Sequence, residues 1–437
     1  MRIKTLNKRE RRIDRLQNLA IVLLTLSALA LFAGLPLFGP LSDRSLIELA
    51  QESARGEAIR PEAAATASSV PVFPVRMVYT NNFARVGADA LTTLSDEFEH
   101  AGTFLGEAVG SANRARPVGE AEFLHALQDE GLYFDFTEAV PAGILSSLLG
   151  VSVPEQELPD VRRMLLSCAD PETTALYAQD GAGRSWRFST AVSPAALSDF
   201  LASRSGSNAD FAFLLGEDCA ALSPYTLVLS EPAARGVLSA APISGGEELL
   251  LRRAEFNAHT ENRFTETSGT VIIREGSSAL YLRPNGTVEY QGAAAEPGSA
   301  YFVPAAEPGA PTLAEAASAA QRLMSALLQD LLGDASLCFG AAAANEDGSV
   351  EISFDLLADG TPIRRSDGSH AASVTVEGQS VTAFVCRARC YTKAEDAALL
   401  LPFAQAAAIA HVWNGAELLI AYVDTSAEAV QPVWIAE

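Results

Sequence analysis

An uncharged run of twenty residues near the N-terminus constrains this chain more than any other feature of its sequence. Residues 19–38 read LAIVLLTLSALALFAGLPLF. At 1.5 Å per residue, a helix of this length is about 30 Å long, which matches the hydrocarbon core of a bilayer. A buried helix of a soluble domain rarely has a full span without one charge. The sequence therefore predicts one transmembrane helix at residues 19–38.

The residues before this run predict its orientation. The first eighteen residues carry seven Lys and Arg against two Asp and Glu, and an excess of basic residues stays on the cytoplasmic side. We therefore expect a basic cytoplasmic tail at residues 1–18 and a single-pass protein of the cell membrane whose bulk is extracytoplasmic. A cleaved signal peptide is the alternative, because Ala28-Leu29-Ala30 resembles a cleavage site. The apolar run continues eight residues past that site, which favours a retained anchor.

The remainder of the chain is strongly acidic. The whole chain has 31 Lys and Arg and 54 Asp and Glu, so that 24 and 52 remain after the tail, a net charge of −28. A surface this negative repels nucleic acid phosphates and anionic lipid headgroups. We expect no nucleic-acid partner.

The five cysteines predict neither a simple disulfide set nor a metal site. Their number is odd, and the chain has no second Cys or His pair at ligand spacing that would favour zinc. Cys386 and Cys390 fall in the alternating stretch TAFVCRARCY. A spacing of four places them on one face of a strand, about 13 Å apart and too far to bridge. We expect buried apolar cysteines.

Composition divides the rest of the chain into a stalk and two domains. Residues 39–70 are rich in Ala, Glu, Ser and Arg and predict a juxtamembrane helix that runs into a stalk. Strand signals begin at Pro71, and Ser244-Gly245-Gly246 indicates a division. We expect extracytoplasmic domains at 71–245 and 246–437, each of ordinary domain size.

Hydrophobic periodicity predicts mixed helix and strand in both domains. In the first, we expect strands in VPVFPVRMVYT, LYFDF and the hairpin TTALYAQDGAGRSWRFSTAV, with helices at 88–105 and 118–128 and in AVPAGILSSLLG and SPAALSDFLAS. In the second, we expect strands in GTVIIREGSSALYLRPNGTVEYQG, VEISFDLLADGTPI, ASVTVEGQSVTAFVCRARCYT, ELLIAYVD and VQPVWIA, with helices at 313–332 and in LLPFAQAAAIAHV. The predicted fold class is α+β, with helices on the faces of antiparallel sheets.

No motif in the sequence indicates catalysis. It has no phosphate-binding G-x-x-x-x-G-K-[ST] loop, no G-x-S-x-G elbow and no H-E-x-x-H pair, and its five histidines are isolated. Acidic pairs such as Glu247-Glu248 are typical of a solvated face in so acidic a chain. We expect no enzyme, no catalytic or metal-binding residues and no cofactor.

Three groups of segments show a common pattern of apolar residues and turns: LYFDFTEAVPAGIL, then ALYAQDGAGRSWRF followed by SPAALSDFL, and ALYLRPNGTVEYQG. These segments resemble the YycH/YycI family of Gram-positive bacteria. The run from Ser336 is also similar to that family's last domain, in LLADGTPI, VTVEGQSVTAFVCRARCY, LLPFAQAAA and VQPVW. The similarity extends over most of the chain as patterns of apolar residues and turns, none of which is a catalytic signature.

The resemblance implies a membrane-tethered accessory protein that contacts an essential sensor histidine kinase of cell-wall homeostasis and modulates its signalling. The partner would be that kinase in the membrane, with a related accessory protein as a second candidate. No functional residue is carried over, because the family is not defined by an invariant reactive site. An extracytoplasmic binding protein or enzyme acting on peptidoglycan or lipid is the alternative function.

The predicted span itself is a candidate contact surface. Small residues allow another helix to approach closely within a membrane. The candidate contact face consists of Thr25, Ala28, Ala30, Ala33 and Gly34. By contrast, we interpret Trp434 and the Trp413-Asn414-Gly415 turn as core and turn residues, not as contacts.

Overall fold

The computed structural model describes residues 71–152, 158–243, 246–306 and 310–437. Within these ranges no helix is both long and apolar enough to cross a membrane. The predicted tail at 1–18, span at 19–38 and stalk at 39–70 lie outside the described residues. The division predicted near residue 245 falls beside residues 244 and 245, which are also outside them, and it stays a prediction.

The first large sheet is built from the N-terminal part of the described chain. Its order is β2-β1-β4-β5-β6-β7-β3, and every pair in it is antiparallel. The strands run Pro74–Asn81 (β1), Ala84–Thr92 (β2), Asn113–Val118 (β3), Gly131–Val140 (β4), Val161–Ser167 (β5), Ala175–Gln179 (β6) and Ser185–Ser189 (β7). A bulge between Asp135 and Val140 interrupts the pairing of β4 with β5.

Local signals explain the helices of this part. Ser95 and Ser193 cap the helices that follow them, accepting the N–H groups of Phe98 and Ala196 at 3.3 Å. Gly150 ends another helix at φ +65°, a left-handed conformation that favours glycine. The helices are Asp96–Ser111 (α1), Glu120–Ala126 (α2), Ala142–Leu149 (α3) and Pro194–Ala202 (α4).

Two small sheets follow. Strands Ala209–Phe211 (β8) and Leu227–Leu229 (β9) pair with each other. Strand Gly236–Pro242 (β10) instead pairs with two strands from far along the chain, Arg389–Ala397 (β20) and Ala429–Val430 (β22). Residues before the predicted division are therefore tied by backbone hydrogen bonds to the C-terminal part.

The second large sheet has the order β11-β12-β13-β14-β19-β18-β16-β17-β21-β23, with β15 paired to β16. Its strands are Arg263–Thr265 (β11), Val271–Glu275 (β12), Ser278–Leu282 (β13), Val288–Gln291 (β14), Ala335–Ala344 (β15), Val350–Ala358 (β16), Thr361–Arg365 (β17), Ala372–Glu377 (β18), Ser380–Cys386 (β19), Leu418–Asp424 (β21) and Pro432–Ala436 (β23). β17 and β21 are parallel, so the expectation of purely antiparallel sheets is wrong here.

The second part of the described chain contributes Glu247–Arg253 (α5), Leu313–Leu328 (α6) and Phe403–Ala410 (α7). Helix α6 begins with a capping box in which Thr312 and Glu315 each accept an N–H of the other. Its buried face carries Leu323, Met324 and Leu327 and packs against α3, β16 and β18. It thus packs between the second sheet and helix α3 of the N-terminal part.

One hydrophobic cluster includes buried residues from both large sheets. Phe73, just before β1, packs on Phe339 of β15 with ring centroids 5.1 Å apart. The Phe339 N–H also donates to the Val72 carbonyl at 2.7 Å. The mixed α+β class is therefore confirmed for the described residues, with a core that continues from one sheet to the other.

Three sequence predictions are wrong in detail. The helix expected at 88–105 begins at Asp96, because residues 84–92 pair with β1 as β2. The helix expected to reach 332 ends at Leu328, where Gln329 leaves helical geometry. Cys386 and Cys390 do not share a strand, since β19 ends at Cys386 and the Arg387 N–H turns aside to the Ala371 carbonyl at 2.7 Å.

Candidate docking groove

An open groove of about 500 Å³ lies between helix α7 and the C-terminal strand β23. All of its lining residues are apolar. Its walls are formed by the segment Leu399-Leu400-Leu401, by Ile409 of α7, by Trp413 in the turn after α7, and by β23 from Pro432 to Ala436. No charged side chain lines it, although the chain carries 85 charged residues among 437. We call this feature the α7–β23 groove.

The composition of α7 explains how the groove forms. Pro402 precedes the first turn, and Ala406, Ala407 and Ala410 face inward. These short side chains pack into a small cluster with Leu222 and Leu418. Phe403 packs partly buried against this cluster, whereas Ile409 lies on the outer side of the helix and is exposed.

The exposed apolar side chains around the groove form a concentrated patch. Leu399 is 92% exposed, Val412 79%, Trp413 56%, Ile409 55% and Leu401 48%. Single exposed apolar residues are ordinary on protein surfaces, but a contiguous group marks an interaction site or a ligand-binding groove. The groove is therefore the best candidate functional surface of the described chain.

One wall of the groove is held firmly. The Trp434 ring meets Phe403 of α7 edge to face, with centroids 5.7 Å apart, and its Nε1–H donates to the Leu401 carbonyl at 2.8 Å. β23 is also the last strand in the sheet order and pairs only with β21 among the described strands. One row of its backbone groups therefore faces away from the sheet, next to the groove.

Both tryptophans of the C-terminal part line the groove. More than half of the Trp413 side chain is exposed there. The turn itself is confirmed, with Gly415 at φ +83°. Trp434 is partly buried but also lines the groove. The signal that could have indicated this surface is the run of three leucines before a helix without a charged residue.

Immediately before the groove wall, Glu417 is held by three arginines of the first sheet. Its carboxylate accepts from Arg76 and Arg163 and, at 2.9 Å, from Arg162 Nη2. The Glu417 side chain is 3% exposed. Its backbone N–H also donates to the Glu437 carbonyl at 2.8 Å. These contacts hold the start of β21 against β1 and β5.

A second carboxylate completes this group. Asp135 on β4 accepts from Arg76 and lies 3.7 Å from Arg163 Nε. Burial alone would raise the pKa of Asp135, but the positive charges of Arg76 and Arg163 outweigh it and hold the pKa well below its usual range. We call Arg76, Asp135, Arg162, Arg163 and Glu417 the arginine–carboxylate cluster. It joins the first sheet to the base of the groove.

A histidine–aspartate pair joins β16, which carries Asp355, to His370 just before β18. His370 Nδ1 is 3.1 Å from Asp355 Oδ2, and Arg364 Nη1 donates to the same oxygen at 2.9 Å. The hydrogen bond to Asp355 raises the pKa of His370, because it favours the charged imidazolium. Since Arg364 already pairs with Asp355, this arrangement is suited to linking strands.

The cysteines pack as apolar side chains. Cys168, Cys338, Cys386 and Cys390 are free thiols. Cys390 is half-buried, and the other four cysteines of the chain, including Cys219, are buried. Burial raises the pKa of Cys386 to about 11 and that of Cys168 to about 12, so both stay protonated at neutral pH. In residues 71–437, apart from the three short gaps, no three His, Cys, Asp or Glu residues are grouped to hold a metal ion.

The span residues proposed as a contact face lie outside the described chain. Thr25, Ala28, Ala30, Ala33 and Gly34 therefore stay predictions, and the structure neither groups nor separates them. The α7–β23 groove is a surface that sequence reasoning missed.

Comparison with known proteins gives one informative similarity. No protein-family model matches the chain, and no curated protein matches its sequence. Among solved structures, the crystal structure of YycH from Bacillus subtilis is similar, with a TM-score of 0.52 and 11% sequence identity. The match covers 85% of this chain and 95% of that one. At this identity the similarity shows a YycH-like fold and nothing finer.

Proposed function

We propose that this protein is a membrane-anchored accessory protein that binds a sensor histidine kinase of cell-wall homeostasis and modulates its signalling. The observation that carries the proposal is the YycH-like fold over most of both chains. The segments resembling the YycH/YycI family point in the same direction from the sequence. The predicted span supports anchoring in the membrane in which such a kinase resides.

The chemistry of the described residues supports binding over catalysis. The Cys168 and Cys386 thiols are protonated at neutral pH because burial raises their pKa, and His370 is hydrogen-bonded to Asp355. The features available to a partner are the apolar α7–β23 groove outside the membrane and the small residues of the predicted span within it. We propose that the span face contacts the kinase span and that the folded part provides an additional outer contact.

The test is co-purification from membranes. Full-length protein is compared with a variant whose residues 19–38 are replaced by an unrelated span of equal length. A second variant, Ala30→Leu/Ala33→Leu/Gly34→Leu, blocks close helix approach, and its control, Leu24→Phe/Leu31→Phe, adds bulk on another side of the helix. We expect a histidine kinase to co-purify with native protein and control, and less of it with the other two. No kinase with the native protein would refute the proposal.

A second candidate function rests on the size of the groove. A groove of about 500 Å³ lined by apolar side chains lies in the size range of small-molecule sites and suits an acyl chain. An extracytoplasmic lipid-binding protein would have such a groove. Mass spectrometry of lipids retained through purification tests it, with Ile409→Asp as the variant that should lose them. Equal lipid content in both proteins would exclude this role.

A further inference from the structure

The last strand of the second large sheet carries backbone groups that have no partner among the described residues. Glu417 and Glu437 exchange two backbone hydrogen bonds, of 2.8 and 3.0 Å. The antiparallel register of β21 and β23 continues from this pair without a bulge. Hydrogen-bonded and non-bonded residue pairs alternate along such a ladder, so the N–H and carbonyl groups of Trp434 and Ala436 point away from β21. No described residue forms a hydrogen bond with these backbone groups.

β23 also lacks the charged side chains that keep exposed sheet edges from pairing with other chains. The three other strands that end the two large sheet orders have such side chains. They are Arg85 and Asp89 in β2, Arg114 and Arg116 in β3, and Arg263 in β11. β23 has the sequence PVWIA, in which only the proline at its start limits pairing. Of these four end strands, β23 is therefore the one open to a further strand.

The α7–β23 groove can receive the side chains of a strand added at this edge. Trp434 faces α7, as its contact with Phe403 shows. Side chains alternate between the two faces of a sheet, so every second side chain of an added strand points to the α7 side. There Leu401 and Ile409 line the groove. β23 has five residues, a length of about 16 Å, so it matches an extended peptide of about five residues with apolar side chains at alternate positions.

The charges next to the groove indicate the residues that flank such a peptide. Residues 394–437, which include the whole groove lining, contain six Asp and Glu and no Lys or Arg. Glu395 and Asp396 are exposed just before the leucine segment, Glu428 is exposed shortly before β23, and Glu437 follows β23 directly. Basic residues on both sides of the apolar ones would be attracted to these carboxylates.

We infer that β23 binds an extended segment of another polypeptide, which adds to the second sheet as a further strand. The backbone groups of Trp434 and Ala436 pair with the backbone of this segment, and its alternate apolar side chains occupy the α7–β23 groove. Its flanking basic residues lie near the acidic residues around the groove. The inference specifies the outer contact of the proposed function, and it rests on that function for the source of the segment, the kinase.

Peptide binding to the full-length protein in phosphatidylcholine nanodiscs tests the strand pairing. The probe is a synthetic peptide, Lys-Lys-Val-Thr-Val-Thr-Lys-Lys, with fluorescein at its N-terminus and an amidated C-terminus. Fluorescence anisotropy gives its Kd, with empty nanodiscs as the blank. Two matched probes carry backbone N-methyl groups, one on both valines and the other on both threonines. In an extended peptide, these two sets of N–H groups point to opposite edges.

We expect one methylated probe to bind at least tenfold more weakly than the unmodified peptide, because it cannot donate hydrogen bonds to β23. The other should bind within about twofold of the unmodified peptide, because its methyl groups lie on the edge away from β23. Equal affinity of all three probes would show that the groove accepts side chains without strand pairing, and would overturn the inference. Neither result requires the kinase, so this test fails separately from co-purification.

A second measurement removes one hydrogen-bond donor from the protein. Ala436→Pro removes the outward N–H of Ala436, which is not bonded to β21, and proline is tolerated at such positions of edge strands. The control, Ala436→Val, adds similar bulk and keeps the N–H. Thermal unfolding followed by circular dichroism checks that both variants fold.

We expect Ala436→Pro alone to weaken binding of the unmodified peptide, by roughly threefold to tenfold, which is the effect of one lost backbone hydrogen bond. Equal affinity of the two variants would overturn the inference. A native protein that binds no peptide but forms a dimer in sedimentation, with the dimer lost in Ala436→Pro, would overturn it in favour of a second copy at this edge.

Discussion

Removing the Glu417 charge should destabilise the fold strongly, because it leaves buried arginines without a counter-charge. The arginine–carboxylate cluster contains three arginines and two carboxylates, a net charge of +1, and the substitution raises it to +2. The side chains of Glu417, Arg76 and Arg163 are 3%, 5% and 7% exposed, so solvent screens the remaining charge poorly. Removing one partner of a buried ion pair lowers the free energy of unfolding by about 3–5 kcal/mol.

Two substitutions separate charge from packing. Glu417→Ala removes both the carboxylate and its methylene groups, whereas Glu417→Gln keeps the shape and one acceptor oxygen. If the charge of Glu417 contributes more to stability than its packing does, Glu417→Gln should lose most of the same roughly 3–5 kcal/mol of unfolding free energy. Adding Arg162→Gln, which removes one positive charge, should recover part of the loss, since the two groups interact directly at 2.9 Å.

The assay is denaturant unfolding of the full-length protein in detergent at neutral pH, followed by tryptophan fluorescence. The free energies of unfolding of Glu417→Gln, Arg162→Gln, the double variant and the native protein complete a double-mutant cycle. A Glu417→Gln protein within about 1 kcal/mol of the native one would refute the reasoning, because it would show that the cluster does not need its second carboxylate. An additive double variant would refute the direct coupling.

Two further predictions concern protonation and backbone geometry. The pKa of His370 is raised in the folded protein because the imidazolium pairs with Asp355. This pair therefore stabilises the fold fully at pH values below about 6.5, the pKa of histidine in the unfolded chain, and the stabilisation is lost as the pH rises through the higher pKa of the folded state. The melting temperature of His370→Asn should therefore approach that of native protein between pH 6 and 8. Gly360 has φ +74°, and a Cβ there would meet the Ala90 carbonyl, whereas Gly348 has φ +84° and open space around it. Gly360→Ala should therefore lower the free energy of unfolding by about 1–3 kcal/mol more than Gly348→Ala. Equal unfolding midpoints for the two glycine variants would contradict the close contact.

The sequence by itself determined the elements that depend on local interactions. Ser193 caps the helix that follows it, Gly150 ends a helix at φ +65°, and Asn285-Gly286 lies in the turn between β13 and β14, with Gly286 at φ +86°. Each signal involves residues within a few positions of one another, so their hydrogen bonds and backbone preferences can be read along the chain. The α+β class followed from the alternation of such elements, and the span at 19–38 rests on sequence alone.

Only the tertiary structure decided which distant residues meet. Arg76 and Glu417 are 341 positions apart, and nothing in either neighbourhood indicates the other. Periodicity shows which face of an element is buried but not which surface buries it. The leucines before α7 have the composition of a core segment, yet Leu399 and Leu401 are exposed at the groove. The candidate groove thus depends on how packing was completed elsewhere, which no local pattern records.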